Sequence, residues 1–193
     1  MAQRRAGESR EDFVRRWPAE HPKSAVVSLA TGEIALGGEE SPFDGMSATY
    51  FPTERDAREA AAQFSGDIVM ACDEYAMGQK PKPETRIKIV RTVYRRRDLT
   101  RQQFKDYWLN NHSRLEDRVI AESPVQKIVA TFALPEPGQD PAFDGMVELY
   151  FAAVDDIRAT FAGPIPAMMR KDEENFVQMD APAVRVVCEE LTL

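Results

Sequence analysis

Two cysteines in 193 residues leave no room for a disulfide framework. Cys72 and Cys188 stand far apart, with no Cys-x-x-Cys spacing and no neighbouring histidine, so neither a redox pair nor a zinc site is signalled and buried free thiols are expected. No apolar run approaches the roughly 18 residues that a membrane span needs. The first residues, Met-Ala-Gln-Arg-Arg-Ala-Gly-Glu, lack the apolar core of a signal peptide, so a cytoplasmic location without a membrane partner is expected. A basic excess is also missing: 25 Lys and Arg face 32 Asp and Glu, and the net charge of −7 argues against nucleic acid and anionic lipid. There is no Gly-rich phosphate loop and no ligand cluster, so nothing calls for an organic cofactor or a metal.

The chain has two histidines and two tryptophans, and all four fall into one recurring pattern. Thr100 to His112 reads as an amphipathic helix that ends on its histidine. Thr100 with Gln103 forms a capping box, and Phe104, Trp108 and His112 fall four apart on one face. Ser9 to His21 echoes it 91 residues earlier, with Ser9 and Asp12 able to cap and Phe13, Trp17 and His21 at the same spacing. Phe143 to Phe151 repeats Phe43 to Phe51 at an offset of 100, and Asp156 and Arg158 repeat Asp56 and Arg58. The echo predicts a duplicated unit, residues 1–79 and 80–193, joined at the linker Gln79-Lys80-Pro81-Lys82-Pro83-Glu84.

The second unit is the cleaner. Ile87 to Tyr94 alternates and is β-branched, the capped helix follows, and Gln126 to Leu134 and Phe143 to Phe151 are strands. A helix interrupted at Gly163–Pro166 leads to a closing strand over Ala183 to Leu191. In the first unit Lys23 to Ala30 and Phe43 to Phe51 are the candidate strands, with a turn-rich loop at Gly37 to Pro42 between them. Thr53 to Phe64 reads as a helix with its alanines facing inward. Asp67 to Gly78 is ambiguous, continuation of that helix being one reading, so this unit lacks an opening strand and has no separate closing strand unless Arg86 to Tyr94 serves both. Strand, helix, strand, strand, helix, strand is the ferredoxin-like split βαβ order. Such a sheet leaves one face bare, and two units cover each other, so an α+β fold closing as a pseudo-dimeric barrel with a cavity between the sheets is expected. Period-two alternation sends Val147, Leu149 and Phe151 to the helices and Met146, Glu148 and Tyr150 to the cavity, with Met46, Ala48 and Tyr50 as the first unit's set. The cationic run from Arg86 to Arg101, Lys88 included, reads as salt-bridged surface, and Asp44 and Asp144, each before glycine, are expected to bond their own backbone.

Phe104, Tyr107, Trp108, His112 and Leu115, followed by Phe-Asp-Gly-Met-Val-Glu-Leu-Tyr-Phe and then Asp172-Glu173-Glu174-Asn175-Phe176, resemble the EthD family of the dimeric α+β barrel superfamily. The first unit resembles a degraded second copy. The resemblance implies a small apolar or aromatic substrate in the barrel, chemistry without cofactor or metal, and a site drawn from the positions above. His112, Glu148 and Tyr150 are the catalytic candidates. Trp108, Met146, Tyr50, Met46, His21 and Tyr94 are the substrate-binding ones. At a helix C-terminus His112 feels the negative pole, which raises its pKa while burial lowers it, so it would move a proton near neutral pH. Tyr150 would hold a developing oxyanion and Glu148 would orient the base or act in its place. Isomerisation, cyclisation, dehydration and decarboxylation all use these parts; cofactor-free oxygenation and non-catalytic binding are the alternatives. Missing sheet edges in the first unit favour pairing into a homodimer.

Overall fold

β-branched residues on both faces make Ile87–Val93 a strand that can be covered from either side, and it becomes the middle of the sheet. In the computed structural model, which describes residues 1–31, 43–64, 67–135 and 138–192, it is the fourth of seven strands among the described residues. These are β1 (Val26–Ala30), β2 (Gly45–Ala48), β3 (Cys72–Gln79), β4 (Ile87–Val93), β5 (Lys127–Ala133), β6 (Gly145–Phe151) and β7 (Arg185–Thr192). The helices are α1 (Arg10–Ala19), α2 (Glu54–Ala61), α3 (Arg101–Tyr107), α4 (Ser113–Glu122), α5 (Val154–Ala162) and α6 (Ile165–Glu173). Every strand pair is antiparallel, in the order β2-β1-β7-β4-β6-β5-β3.

The inner four strands, β7-β4-β6-β5, with α3 to α6 on one face, form the ferredoxin-like arrangement that the element order predicts. β1 adds to the free edge of β7 and β3 to that of β5, and the enlarged sheet curls into a partial barrel, an α+β fold. Its convex face carries the helices: Ile89, Ile128, Phe151 and Val187 form one apolar cluster, and Val93, Phe104, Trp108 and Phe132 another. The concave face gathers Met46, Val90, Met146 and Cys188. Phe13 and Trp17 of α1 pack on Val27 and Leu29 in a separate cluster. Among the described residues no helix is long and apolar enough to cross a membrane.

Several sequence expectations change. Cys72–Gln79 is a strand, not more helix, because Tyr75 and Met77 reach the helix layer while the backbone pairs with β5. The first half therefore has its own closing strand, and β4 pairs only with β6 and β7. The α2 alanines do not enter a core, since that helix buries no residue. Helical structure does not stop at His112: α3 runs through a π-helical segment, Trp108–His112, directly into α4. The wide turn is braced by side chains, with Asn110 Nδ2 donating to the Asp106 carbonyl at 2.8 Å and Ser113 Oγ to that of Leu109 at 2.8 Å. The caps form as expected, Ser9 on Asp12 and the Thr100–Gln103 box. Asp44 and Asp144 bond other segments rather than their own turns, taking the backbone N–H groups of Arg4 at 2.8 Å and Arg95 at 3.1 Å. The loop expected at Gly37 to Pro42 lies outside the described residues.

Candidate functional site

The first polar constellation lies between sheet and helices. The four-residue spacing that puts Phe104, Trp108 and His112 on one stripe also buries the histidine, leaving it 3% exposed. Its Nδ1 meets Asp172 Oδ2 at 2.7 Å, at the C-terminal end of α6. Asp172 is itself fixed by the Tyr107 hydroxyl, which donates to Oδ1 at 3.0 Å. Phe176 lies against the imidazole, with centroids 4.9 Å apart. Because the helix continues past His112, no C-terminal dipole raises its pKa. Burial is the larger influence and holds it below the ordinary histidine value, against the upward pull of the Asp172 bond.

One turn further on the same stripe sits Glu116, 1% exposed. Its Oε1 accepts from Trp108 Nε1 at 3.1 Å, and its Oε2 has no partner among the described residues. Burial pushes this carboxyl up to about 7, so near neutral pH a large share of it carries a proton. His112 and Glu116 share a cavity of about 240 Å³ whose walls include Ile89, Val119 and Ile165. Arg91 and Arg185 reach the same cavity. Arg91 is bound to Glu173 at 2.5 Å, whereas Arg185 makes no ion pair among the described residues and stands over the Phe161 ring at 5.9 Å.

The second constellation lies on the concave face. Met146, Glu148 and Tyr150 point there, as alternation predicts, and so do Met46 and Tyr50. Lys88 of β4 joins them and is 2% exposed. This corrects its place in the cationic run, because Lys88 shares the inward parity of Val90 and Thr92. Its Nζ stands 2.5 Å from Glu148 Oε2, 3.0 Å from Glu190 Oε2 and 3.3 Å from the Tyr150 hydroxyl. The Tyr150 hydroxyl donates to Glu148 at 2.9 Å. Burial alone would lower the Lys88 ammonium; Glu148 and Glu190 more than reverse it, so the lysine stays charged. Tyr150, desolvated beside two carboxylates, is held far above the ordinary phenol value. Nearby, the Tyr50 hydroxyl donates to Glu74 at 2.9 Å. The adjoining cavity of about 530 Å³ is lined by Tyr50, Glu74, Met146, Glu148 and, at its far side, Trp17 and His21.

The sheet therefore separates residues that the sequence reading grouped. His112 and Trp108 belong to the helix-side cavity, whereas Glu148, Met146, Met46, Tyr50 and His21 line the concave one. Tyr150 stands behind Glu148, and Tyr94 packs against the inner apolar cluster. The His21 ring nitrogen Nδ1 is held by the Trp17 carbonyl at 2.8 Å. Sequence reading missed Glu116, Asp172 as a partner, Lys88, Glu190, Glu74 and Arg185. Glu116 had a signal, a carboxylate four residues beyond His112 on an otherwise apolar stripe; Glu74 had none.

The stretch from 96 to 180 matches the EthD domain family. Within it lie Trp108, His112, Glu116, Asp172 and Phe176, while Lys88, Glu190 and Tyr50 lie outside. An anthrone oxidase-like protein of known structure shares the fold over 99% of this chain and 88% of its own, at TM-score 0.65 and 7% identity. An EthD-family protein of Bacillus halodurans aligns at 17% identity over 55% of this chain and 99% of its own, TM-score 0.44. A dimeric protein of unknown function with a ferredoxin-like fold, from Bacteroides fragilis, aligns at 16% identity over 56% and 99%, TM-score 0.42. A search of curated proteins returns no match.

Proposed function

We propose that this protein is an enzyme that moves a proton on a small aromatic or polyketide-like carbonyl compound, without an organic cofactor, in the helix-side cavity of its EthD domain. The observation that carries the reading is the His112–Asp172 contact of 2.7 Å on the wall of a largely apolar cavity of about 240 Å³. A neutral imidazole donates its Nδ1 proton to Asp172 and keeps Nε2 as the base. Nε2 takes a proton from the carbon beside the carbonyl, and the imidazolium so formed is stabilised by the Asp172 carboxylate. The charge that develops on the carbonyl oxygen meets protonated Glu116 and the unpaired Arg185 guanidinium. Return of the proton to another carbon is isomerisation; loss of a β-hydroxyl as water is dehydration.

The test uses 5-nitrobenzisoxazole, a one-step reporter of base-catalysed proton removal in apolar pockets, followed by a panel of aromatic β-ketones. The expected result is saturable turnover that His112→Ala abolishes and Glu148→Gln leaves unchanged. Turnover lost with Glu148→Gln but kept in His112→Ala would move the chemistry to the concave face. Oxygen uptake coupled to the β-ketone panel would replace proton transfer by cofactor-free oxygenation.

A further inference from the structure

The helix-side cavity has an apolar floor and a cationic rim. We infer that its substrate is an anion, an apolar aromatic or polyketide-like body whose carboxylate seats between Arg170 and Arg185 while the reacting carbon lies at His112. That the occupant is a substrate rests on the proton transfer proposed above; the carboxylate seat stands on the arginines alone.

Strand register lays out the gradient. Val147 of β6, Arg91 of β4 and Arg185 of β7 are direct neighbours across the sheet, and all three line the cavity. In the next row of the floor Leu149 stands opposite Ile89, so that row is apolar. Charge on the sheet is therefore confined to the β4–β7 side. Like charges directly opposite each other on paired strands repel, and Arg91 and Arg185 are such a pair. An anion placed beside them relieves that repulsion.

The acids of the protein do not supply it to Arg185. Three follow one another at the end of α6, and each has another partner. Asp172 holds His112 at 2.7 Å and Tyr107 at 3.0 Å, Glu173 holds Arg91 at 2.5 Å, and Glu174 holds Lys171 at 2.8 Å. Arg170 and Arg185 both line the cavity, both are exposed, and neither makes an ion pair among the described residues. Partial burial and then the Arg91 charge, with Arg170 adding to them, outweigh Glu173 and hold Arg185 below the ordinary guanidinium value. Its contact with the Phe161 ring at 5.9 Å is a weak hold that a carboxylate replaces with charge-assisted hydrogen bonds. A guanidinium carries five N–H groups, so Arg185 can take a carboxylate oxygen and still meet the carbonyl oxygen of the reaction, with Arg170 completing the seat. Such a rim selects acids over neutral molecules of the same shape.

The experiment is calorimetric titration of the whole chain with 2-naphthoate and with 2-naphthamide, which share one bicyclic body and differ in charge. One-to-one binding is expected, with the acid about tenfold tighter than the amide. Arg185→Gln and Arg170→Gln should each lower that ratio by roughly fivefold. Arg97→Gln removes the same charge from an exposed position outside the cavity and should leave the ratio unchanged. Circular dichroism confirms that each variant keeps its fold. Equal affinity for acid and amide, a ratio that survives both cavity variants, or one that falls as far in Arg97→Gln overturns the seat. Preference for the acid without turnover of 5-nitrobenzisoxazole would support the seat and end the proton-transfer reading. Turnover with equal affinity for both probes would do the reverse.

Discussion

Glu116 and Glu148 are buried to nearly the same depth on opposite faces of one sheet, at 1% and 3% exposure, and the fold treats them in opposite ways. Glu148 has a lysine at 2.5 Å and a tyrosine hydroxyl at 2.9 Å, in a group whose members satisfy one another. Glu116 has one indole N–H and a bare second oxygen. A closed polar network specifies how strands pack and has little left over for a ligand; a half-satisfied acid beside a cavity keeps an acceptor open to one. Burial alone therefore does not mark a site. A buried acid that still lacks a partner, beside a cavity, is the stronger candidate.

The sharpest way to break this comparison is to open the closed network. Lys88→Met leaves Glu148 and Glu190 without their cation and should cost about 3–5 kcal/mol of stability in urea denaturation. Restoring most of that loss with Glu148→Leu in the same chain would show that the charge, not the packing, was at stake. Glu116 predicts a pH signature next. Its folded carboxyl titrates at about 7 against 4.5 in the free side chain, so the folded state holds a proton that the unfolded state releases between those values. Stability from this group is full below 4.5 and falls as pH rises through 7, by on the order of 3 kcal/mol. Glu116→Gln should flatten that slope. His112 acts in the reverse sense: its lowered pKa makes stability rise with pH up to the ordinary histidine value, and His112→Asn should remove that rise in the same denaturation series.

The kinetic counterpart is smaller in energy. His112→Ala should reduce turnover of the benzisoxazole reporter by about a hundredfold or more, and Asp172→Asn should lower it less while shifting the pH profile of kcat/KM. The smallest effect compares two matched turns. A Cβ on Gly45 would come within 2.5 Å of the Trp17 ring, whereas one on Gly145 meets Phe104 and the Thr131 carbonyl at 3.2 Å. Gly45→Ala should cost about 1–3 kcal/mol by thermal denaturation, and Gly145→Ala less.

Much of this was legible because local rules governed it. Capping side chains, β-branched alternation and the four-residue stripe each report on neighbours within a few positions, so the ferredoxin-like unit and the inward set Met146, Glu148 and Tyr150 could be read directly. What escaped depended on distant pairing. β3 has a mixed, weakly apolar sequence and is a strand because β5 offers it an edge. Lys88 looked like one more surface cation because a charge run hides parity. The grouping of His112 with Glu148 failed for a related reason: each was correctly aimed at something buried, but a sheet has two sides, and the stripe of a helix and the parity of a strand do not say that they meet on the same one.

The order of pairing across the sheet also governs how the chain can reach its folded state. β1 is made well before β7, its neighbour on one side; β3 likewise waits for β5. The residues preceding β4 consequently cannot complete their hydrogen bonding until later strands have been made. Folding is set by contacts between sequence positions more than a hundred residues apart, as in the pairing of Val26 with Thr192, and topologies of that kind fold slowly. Until β7 arrives, β1 is an open edge exposed to chaperones and to other copies of itself.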